Sequence, residues 1–258
     1  MLPSIFLGHG APNLSLTDAP ARRFLAGLGD QLGKPSAILV ASAHWETNTP
    51  VVNAVASNQT IHDFYGFPRE LYHLTYPAPG SAKLAETAAD LLCGAGLASQ
   101  TDRMRGLDHG AWVPLLLMYP EADIPVVQIS LQPQLGPAHH LQLGRALAPL
   151  RDHGVLILGS GSLTHDLSRF RGNRLDAPPP ADVSDFADWM EIALLEGRTC
   201  DLLAYRRQAP HAVRNHPSEE HLLPLFVALG AAGATSRTEQ LHRSTTYGIL
   251  RMDAYAFH

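Results

Sequence analysis

Three apolar segments of the chain each lead through small or glycine residues to a histidine. The segments are residues 5–7, 38–40 and 155–158, and the histidines after them are His9, His44 and His165. An apolar, partly β-branched run of this length is typical of a strand buried on both faces, as in a parallel sheet. Since the carboxyl ends of parallel strands meet at one edge, where open α/β sheets form their binding crevice, we expect these histidines to lie close together.

The rest of the chain alternates helical and strand-like segments, as expected of an α/β fold. Periodicity and capping signals predict helices at 18–32, 83–97, 111–118, 139–150, 183–196 and 222–229, and strands at 124–131 and 245–252. A length of 258 residues fits one such domain, and the proline-rich segment 176–182 is too short to separate two. We therefore predict a single α/β domain over residues 1–258, with a mostly parallel or mixed central sheet flanked by helices and a metal site at the strand ends.

Composition excludes several functional classes. The net charge of -5 argues against a nucleic-acid surface, which would need a basic stripe. The two cysteines, Cys93 and Cys200, stand in unrelated contexts and do not suggest a disulfide framework. No apolar stretch approaches the ~20 residues of a membrane span, and the apolar run near the N-terminus is too short for a signal peptide. We expect a cytoplasmic monomer or small homo-oligomer that binds neither nucleic acid nor membrane.

Two further histidines stand at the start of predicted helices. His109 follows Asp108, which is placed to cap the helix at its N-terminus. His221 follows Glu219 and Glu220, which would fill the acidic first turn of its helix. Capping explains the carboxylates, but it does not explain His221.

The chain carries 14 histidines in all, which directs attention to a metal site. His139, His140 and His153 are interpreted as solvated helix or turn residues and are set aside. A single histidine is more often structural than a ligand, but several at element boundaries favour metal binding. Neutral imidazoles suit zinc, iron, copper or nickel, so the residue types alone leave the metal open.

Residues 59–81 interrupt the α/β alternation with a long segment rich in aromatic residues and proline. Such a loop is usually a lid or a pocket wall, although it could also cover the sheet edge with a small core of its own. The candidate substrate-binding residues in it are His62, Asp63, Phe64, Phe67 and Tyr72, with Arg69 as a further polar candidate.

His165 comes soon after the segment Gly159-Ser160-Gly161-Ser162. We interpret this segment as a flexible turn that brings the backbone close to a ligand. The segment lacks the lysine of a P-loop and the spacing of a dinucleotide fingerprint. His165 would then be the reactive group, with Asp166 beside it influencing its protonation.

Eight ordered sequence blocks together resemble the class III, LigB-like extradiol ring-cleavage dioxygenases, and most closely their small single-chain DOPA 4,5-dioxygenase branch. The blocks are GHGAP (8–12), SAHW (42–45), IHDFYGFP (61–68), YPAPGS (76–81), LDHGAW (107–112), ADIPVVQIS (122–130), GSGSLTHDL (159–167) and EEHLLPL (219–225). They cover nearly the whole chain. The resemblance implies a metal-dependent enzyme that uses O2 to open the ring of a DOPA-like catechol beside its diol.

The resemblance also implies roles for individual residues. His9, His44 and His221 would be the metal ligands, although the larger LigB enzymes use a glutamate as the third, which leaves Glu219 and Glu220 as alternatives to His221. His165 would be the acid–base residue and could itself coordinate zinc, and His109 would act near the substrate. Fe(II) is expected for activity, with Zn(II) possible in the purified protein.

Two other classes of protein could use the same histidines. A zinc hydrolase would employ a metal-bound water, and a metal-binding protein with a LigB-like fold could lack turnover altogether. The presence of His109 and His165 beyond the ligand set favours the enzyme that opens an aromatic ring.

Overall fold

One mixed sheet of eight strands organises the computed structural model, which describes residues 1–234 and 236–258. The strands are β1 (Ser4–Gly8), β2 (Ala37–Glu46), β3 (Val51–Asn53), β4 (Gln100–Asp102), β5 (Val126–Leu131), β6 (Val155–Gly161), β7 (Thr238–His242), β8 (Thr245–Thr246), β9 (Leu250–Arg251) and β10 (Ala254–Phe257). Eight of these strands form the sheet, in the order β4-β3-β5-β2-β6-β1-β10-β7. The other two, β8 and β9, pair with each other in a separate hairpin.

The centre of the sheet is parallel and its margins contain the antiparallel pairs. Strands β5, β2, β6 and β1 run parallel to one another, and β4 runs parallel to β3. Strand β3 is antiparallel to β5, and β10 is antiparallel to both β1 and β7. The predicted α/β fold with a mostly parallel, mixed sheet is confirmed, and strands from both ends of the chain share that sheet.

Helices cover both faces of the sheet. They are α1 (Pro20–Leu32), α2 (Ala82–Gly94), α3 (His109–Met118), α4 (Gly136–Leu147), α5 (Ala181–Leu195), α6 (Thr199–Leu203), α7 (Tyr205–Gln208), α8 (Ala212–Asn215) and α9 (Leu223–Ala232). Side chains alternate along each buried strand: Ile5 and Leu7 pack in the core with α1 and α3, whereas Phe6 packs in the core with α4, α5 and α9. The central strands β1, β5 and β6 are buried on both faces, which agrees with their largely apolar sequences, whereas the outer strands β4 and β7 are polar and more exposed.

Helix α9, which follows His221, lies unusually close to its neighbours. A Cβ atom at Gly230 would stand 2.1 Å from the carbonyl oxygen of Leu141 on α4, and one at Gly144 would stand 2.1 Å from that of Val227. A real Cβ atom cannot lie this close to a carbonyl oxygen, so any residue larger than glycine at either position would force the helices apart. The two glycines therefore let α4 and α9 pack backbone against backbone, which fixes where α9 begins.

The C-terminal part of the chain differs from the sequence prediction. The single strand predicted at 245–252 is wrong: β8 and β9 form a short hairpin, and the turn between them holds Tyr247 and Gly248 at positive φ. The chain then returns to the sheet as β10, which alternation in the sequence did not reveal. Strand β10 is only four residues long and is buried on both faces, so its sequence shows no alternation of apolar and polar residues.

The solvated interpretation of His140 is also wrong. Its side chain is fully buried on α4, with Nε2 accepting a hydrogen bond from the Gln132 backbone N–H at 3.1 Å and Nδ1 donating to the Gly136 carbonyl at 2.7 Å. This histidine closes the turn that leads from β5 into α4. His153 is exposed, as expected.

Several smaller predictions can be compared directly. Ser81 caps α2, since its Oγ accepts from the Leu84 N–H at 3.2 Å, but that helix ends at Gly94. Cys93 and Cys200 are both free and exposed, so the expectation of no disulfide between them is met. Among the helices in the described part of the chain, none combines the length and the apolar character needed to cross a membrane.

Candidate metal centre and substrate cavity

Three histidines from separate parts of the chain converge at the carboxyl edge of the sheet. His9 follows β1, His44 lies near the end of β2, and His221 precedes α9; one ring nitrogen of each lies within 4.8 Å of the others. Nε2 of His9 and Nε2 of His44 are 3.1 Å apart. Ring nitrogens that share one ion at about 2.1 Å stand roughly 3.0–3.5 Å apart, so this spacing fits two ligands of a single metal.

The strand between β1 and β2 explains how the three rings come together. Strand β6 pairs with β1 on one side and β2 on the other, which places His9 and His44 on either flank of it. A Cβ atom at Gly161 would stand 2.0 Å from the carbonyl oxygen of His221, and the Ser162 N–H donates to that oxygen at 2.9 Å. The glycine at the end of β6 thus admits the backbone of His221.

This packing corrects the interpretation of residues 159–162 as a flexible turn. Gly159 and Gly161 belong to β6 and are buried. A Cβ atom at Gly159 would stand 2.2 Å from the Pro224 carbonyl oxygen, so both glycines bring the start of α9 close to the sheet, not the backbone close to a ligand. His165 therefore comes shortly after the end of a buried strand. The backbone N–H of His165 donates to the Asn215 carbonyl at 2.9 Å.

Hydrogen bonds fix the ring of His9 with Nε2 as the free nitrogen. Its Nδ1 lies 3.0 Å from Ser160 Oγ, and the Ser160 hydroxyl donates its only proton to the Gly110 carbonyl. Ser160 must then accept from the Nδ1–H of His9. The lone pair of His9 that remains is on Nε2, the atom that faces His44.

A carboxylate fixes the ring of His221 in the same way and leaves its Nε2 as the free nitrogen. Glu220 Oε1 accepts from Nδ1 of His221 at 2.8 Å, and Nε2 of that ring is buried without a hydrogen-bond partner among the described residues. A buried, unpartnered nitrogen is costly unless something binds it. An orphaned nitrogen beside two other free ring nitrogens fits a metal ion, which supplies the missing partner.

A second carboxylate serves His44 and His109. Asp63 accepts from both the backbone N–H and Nδ1 of His109, each at 2.9 Å, and its Oδ2 lies 3.5 Å from Nδ1 of His44. Asp108 is the N-cap residue of α3, as predicted, but its side chain makes no capping hydrogen bond, and Asp63 accepts from the first N–H of the helix instead. Asp108 is buried and accepts from Ser42, Arg105 and Gln128.

His165 lies against the cluster of His9, His44 and His221 and belongs to a second candidate group with Glu220 and His221. Its ring stacks on that of His221 with 3.4 Å between centroids, and its Nδ1 is 4.0 Å from Glu220 Oε1. Asp166 points elsewhere and accepts from the backbone and hydroxyl of Ser168. Glu220, and not Asp166, is therefore the nearest carboxylate to the His165 ring.

Burial keeps the imidazoles of four of these histidines neutral at pH 7, namely those of His9, His44, His165 and His221. Desolvation lowers the pKa of His44 and of His165 to about 4, and it lowers the pKa of His9 and His221 well below the usual 6.5. Burial alone would raise the pKa of Asp63, but the hydrogen bonds from His109 outweigh it and lower that pKa to about 2. Neutral histidines are the form that binds metals, so the site is ready for an ion without first losing protons.

Glu219, the other acidic alternative to His221, is directed away from the cluster. Its Oε1 accepts the hydroxyl hydrogen of Tyr205 at 2.8 Å. Glu220 is occupied by His221. Three groups of side chains among the described residues could hold an ion, and the group of His9, His44 and His221 is the one made of imidazole nitrogens alone. The other two groups include Asp63 or Glu220, and each of these carboxylates already accepts a hydrogen bond from a histidine.

A cavity of about 520 Å³ opens in front of the histidines. His9, His44, His109, His165 and His221 form its floor together with Asp63. Phe64 and Phe67 of the aromatic segment form one wall, and Tyr65 lies at the rim, 92% exposed. A cavity that is mostly apolar with a few convergent polar groups is typical of a small-molecule site.

The remaining predicted members of the aromatic segment do not line the cavity. The ring of His62 lies 5.7 Å from that of Phe64 and its Nε2 donates to the Leu74 carbonyl at 3.0 Å. Tyr72 packs 5.2 Å from Phe64, and Arg69 is exposed. His62 and Tyr72 support Phe64 from behind, so the segment is both a pocket wall and a small core.

Sequence reasoning missed the opposite wall. It is formed by Asn13, Leu167, Phe170, Tyr247, Ile249 and Leu250. These residues come from three segments far apart in the chain, namely two short 3-10 helices with the residues after them and the β8–β9 hairpin, and nothing in the periodicity of the sequence marks them. The one available signal was Gly248, because a glycine inside a strand pattern suggests a bulge or another break in the strand.

Comparisons with known proteins show the family to which the chain belongs. Residues 19–257 match the family model described as the catalytic LigB subunit of aromatic ring-opening dioxygenase. A 4,5-DOPA dioxygenase extradiol of Beta vulgaris is 48% identical over 98% of this chain and 96% of its own length. One from Escherichia coli strain K12 is 38% identical over 89% of this chain and 85% of its own length.

A solved structure has the same fold over the full length of both chains. It is the crystal structure of the uncharacterized protein JW3007 from Escherichia coli K12, with a TM-score of 0.82 and 32% identity. The predicted class of enzyme, an extradiol dioxygenase that opens aromatic rings, is confirmed, and the hydrolase and the non-enzymatic binding protein are not favoured. The chain belongs to the LigB family of metal-dependent aromatic ring-opening dioxygenases.

Proposed function

We propose that this chain is a non-haem Fe(II) dioxygenase that opens the ring of a DOPA-like catechol beside its diol, with O2 as the oxidant. The main observation behind the proposal is that three neutral histidines able to bind a metal, His9, His44 and His221, line one cavity together with two further histidines. Phe64 and Phe67 form an aromatic wall of the same cavity. Relatives named 4,5-DOPA dioxygenase extradiol support the choice of catechol. The catalytic unit that we propose comprises residues 1–258.

His9, His44 and His221 would hold the metal through Nε2. When bound, Fe(II) supplies a redox-active centre at which the diol and O2 are held together, with the rate advantage of an intramolecular reaction. Zinc stands above ferrous iron in affinity for nitrogen ligands, so the purified protein is expected to carry zinc when zinc is abundant. The stacked ring of His165 is close enough to join the ligands in that form.

His165 would move the proton of the catechol. Its ring is neutral at pH 7 because burial lowers its pKa to about 4, so it has a free nitrogen that can accept a proton. Glu220, 4.0 Å from Nδ1, would stabilise the imidazolium that results. The proton is then available to return to the substrate as the ring opens.

His109 would hold a fixed position beside the same substrate. Its Nδ1–H donates to Asp63, which leaves Nε2 as the acceptor on that ring. Phe64 and Phe67 would pack against the aromatic ring of the catechol, and Asp63 would position His109 and His44. His62 and Tyr72 would contribute to substrate binding through Phe64 and not by direct contact.

The test is oxygen uptake by protein loaded with Fe(II) under anaerobic conditions and then mixed with a panel of catechols. We expect uptake with vicinal diols, with one ring opened for each O2 consumed, and none with the matching monophenols or with aryl esters. The His44→Ala variant should bind iron poorly and consume no oxygen. Reaction with monophenols or esters alone would overturn the proposal.

A further inference from the structure

The metal-binding cluster borders a second opening besides the substrate cavity. This opening is a cleft of about 660 Å³, and three of the residues that line it, His44, Asp63 and His221, also line the cavity. The side chain of His44 is 22% exposed, compared with 6% for that of His221. The proposed metal site therefore adjoins two openings and not one.

The two openings differ in charge. The lining of the cleft contains four carboxylates, and among its described residues none is a lysine or an arginine; the carboxylates are those of Glu46, Asp63, Glu219 and Glu220. Among the described residues that line the cavity, the one carboxylate is Asp63, and the walls are mostly apolar. An aromatic ring suits the apolar opening, whereas a divalent cation is costly to bring out of water into it. The acidic cleft is the opening that attracts a cation.

Glu46 lies at the outer end of this acidic lining. It is the last residue of β2 and is exposed. Side chains two residues apart on a strand point to the same face, so Glu46 lies on the face of β2 that carries His44, whereas Trp45 between them is buried. At the inner end, Glu220 accepts from Nδ1 of His221 at 2.8 Å. Carboxylates thus stand both at the surface and beside a proposed ligand.

The inner end of the cleft holds a ligand nitrogen that lacks a partner. His221 is 5% exposed, and its Nε2 has no hydrogen-bond partner among the described residues. A buried nitrogen in this state is stabilised by an ion that binds it. Since His221 lines the cleft, an ion that enters between the carboxylates arrives beside the nitrogen that needs it.

We propose that the acidic cleft is the entrance through which a divalent cation reaches the metal centre, with Glu46 as the residue that first attracts it from solvent. The inference rests on the proposed metal centre but not on the ring-opening reaction. Carboxylates that line one opening raise the local concentration of cations and the rate at which they associate. The apolar cavity is then left to the catechol and O2.

The test is the rate at which metal-free protein takes up Co(II), followed by stopped-flow absorption. Glu46→Gln should lower the association rate constant roughly threefold at low ionic strength, and Glu46→Lys should lower it by ~10-fold or more. High salt should reduce both differences. The exposed Glu86→Gln on α2 removes the same charge outside the cleft and should keep the parent rate. Equal rates for Glu46→Gln and the parent chain at low ionic strength would overturn the role of Glu46.

Two bulky variants decide which opening the cation uses. Ser218→Trp narrows the cleft and Leu167→Trp narrows the cavity, since both residues are exposed in the lining of their opening. We expect Ser218→Trp to slow both the uptake and the release of Co(II) while the affinity stays the same, because an obstructed path slows both directions. Leu167→Trp should change neither rate. Any pattern other than slowing by Ser218→Trp alone would overturn the inference.

Turnover of protein already loaded with Fe(II) separates this inference from the proposed function. Glu46→Gln at full iron occupancy should open catechols at the parent rate, because Glu46 does not line the substrate cavity. A loss of turnover at full occupancy would overturn the assignment of Glu46 to metal entry. If the loaded parent chain opens no catechol, the proposed function fails, while the Co(II) rates still decide the route of the cation.

Discussion

Glu220 Oε1 accepts a hydrogen bond from Nδ1 of His221 at 2.8 Å, and this contact leaves Nε2 of the same ring buried and unpartnered beside His9 and His44. A carboxylate behind a metal-binding histidine fixes the tautomer and orientation of the ring and increases its basicity. The residue that the family resemblance left as an alternative ligand thus lies behind the ligand that we propose.

The first prediction concerns that carboxylate. Glu220→Gln should weaken metal affinity by ~10-fold or more, because loss of the charge lowers the basicity of His221. Glu219→Gln is the matched control, since Glu219 accepts from Tyr205 outside the cluster and the change in net charge is the same. Competition with a chelator measures both affinities, and equal affinities for the two variants would contradict the role of Glu220.

A second prediction separates His165 from the proposed ligands. His165→Ala should retain iron and bind catechol, because His9, His44 and His221 form a group of three imidazoles without it, but it should lose ring opening by at least ~10². His109→Ala should likewise keep much of its metal. Iron stoichiometry measured alongside turnover decides the matter: loss of iron from His165→Ala would make it a ligand, and near-normal turnover would remove it from the reaction.

The third prediction tests how α9 places His221. Gly161→Ala should displace His221, because the added methyl group would meet its carbonyl oxygen at 2.0 Å, so stability and metal affinity should both fall. Gly94→Ala, with open space around it at the end of α2, should cost nothing. Thermal unfolding with and without metal gives both quantities, and a Gly161→Ala protein with normal metal affinity would contradict the packing argument.

A fourth prediction follows from the buried His140. Desolvation lowers its folded-state pKa to about 4, whereas the unfolded chain titrates near the usual 6.5. Between these values the unfolded state binds the proton and the folded state does not, so its contribution to stability is full above pH 6.5 and is lost as the pH falls towards 4. At pH 5 the loss is about 2 kcal/mol.

Denaturant unfolding of the metal-free protein between pH 4 and pH 7 measures this effect. The His140→Gln variant should show a shallower fall in unfolding free energy with decreasing pH than the parent chain. Identical slopes would mean that His140 titrates normally in the folded state. The same comparison at pH 7 controls for any general loss of stability in the variant.

Local patterns were sufficient to predict the part of the site that lies on the sheet. His9 follows β1 and His44 lies near the end of β2, and the geometry of a parallel sheet brings these strand ends to one edge. The resemblance to a family supplied His221, but its place depends on the close approach of α9 to Gly159 and Gly161. That contact is tertiary, and a single sequence shows only two glycines.

Other features could not be predicted because distant segments determine them. His140 was interpreted as a solvated helix or turn residue, but it is buried, and its ring makes hydrogen bonds with the turn that enters α4. The wall that holds Tyr247 and Phe170 joins two irregular segments far apart in the chain. Hydrophobic periodicity identifies regular elements, but Phe170 and Tyr247 lie outside them. It also does not reveal the hydrogen bonds that His140 makes from α4.

The most direct test of the central proposal is the fate of isotopically labelled O2 when a catechol is mixed with the Fe(II)-loaded and the Zn(II)-loaded protein. We predict that both oxygen atoms enter the ring-opened product with the iron form, and that the iron-free zinc form gives no product. Full activity of the iron-free zinc form, or a product that contains no label, would contradict the assignment of this site to ring opening by dioxygen.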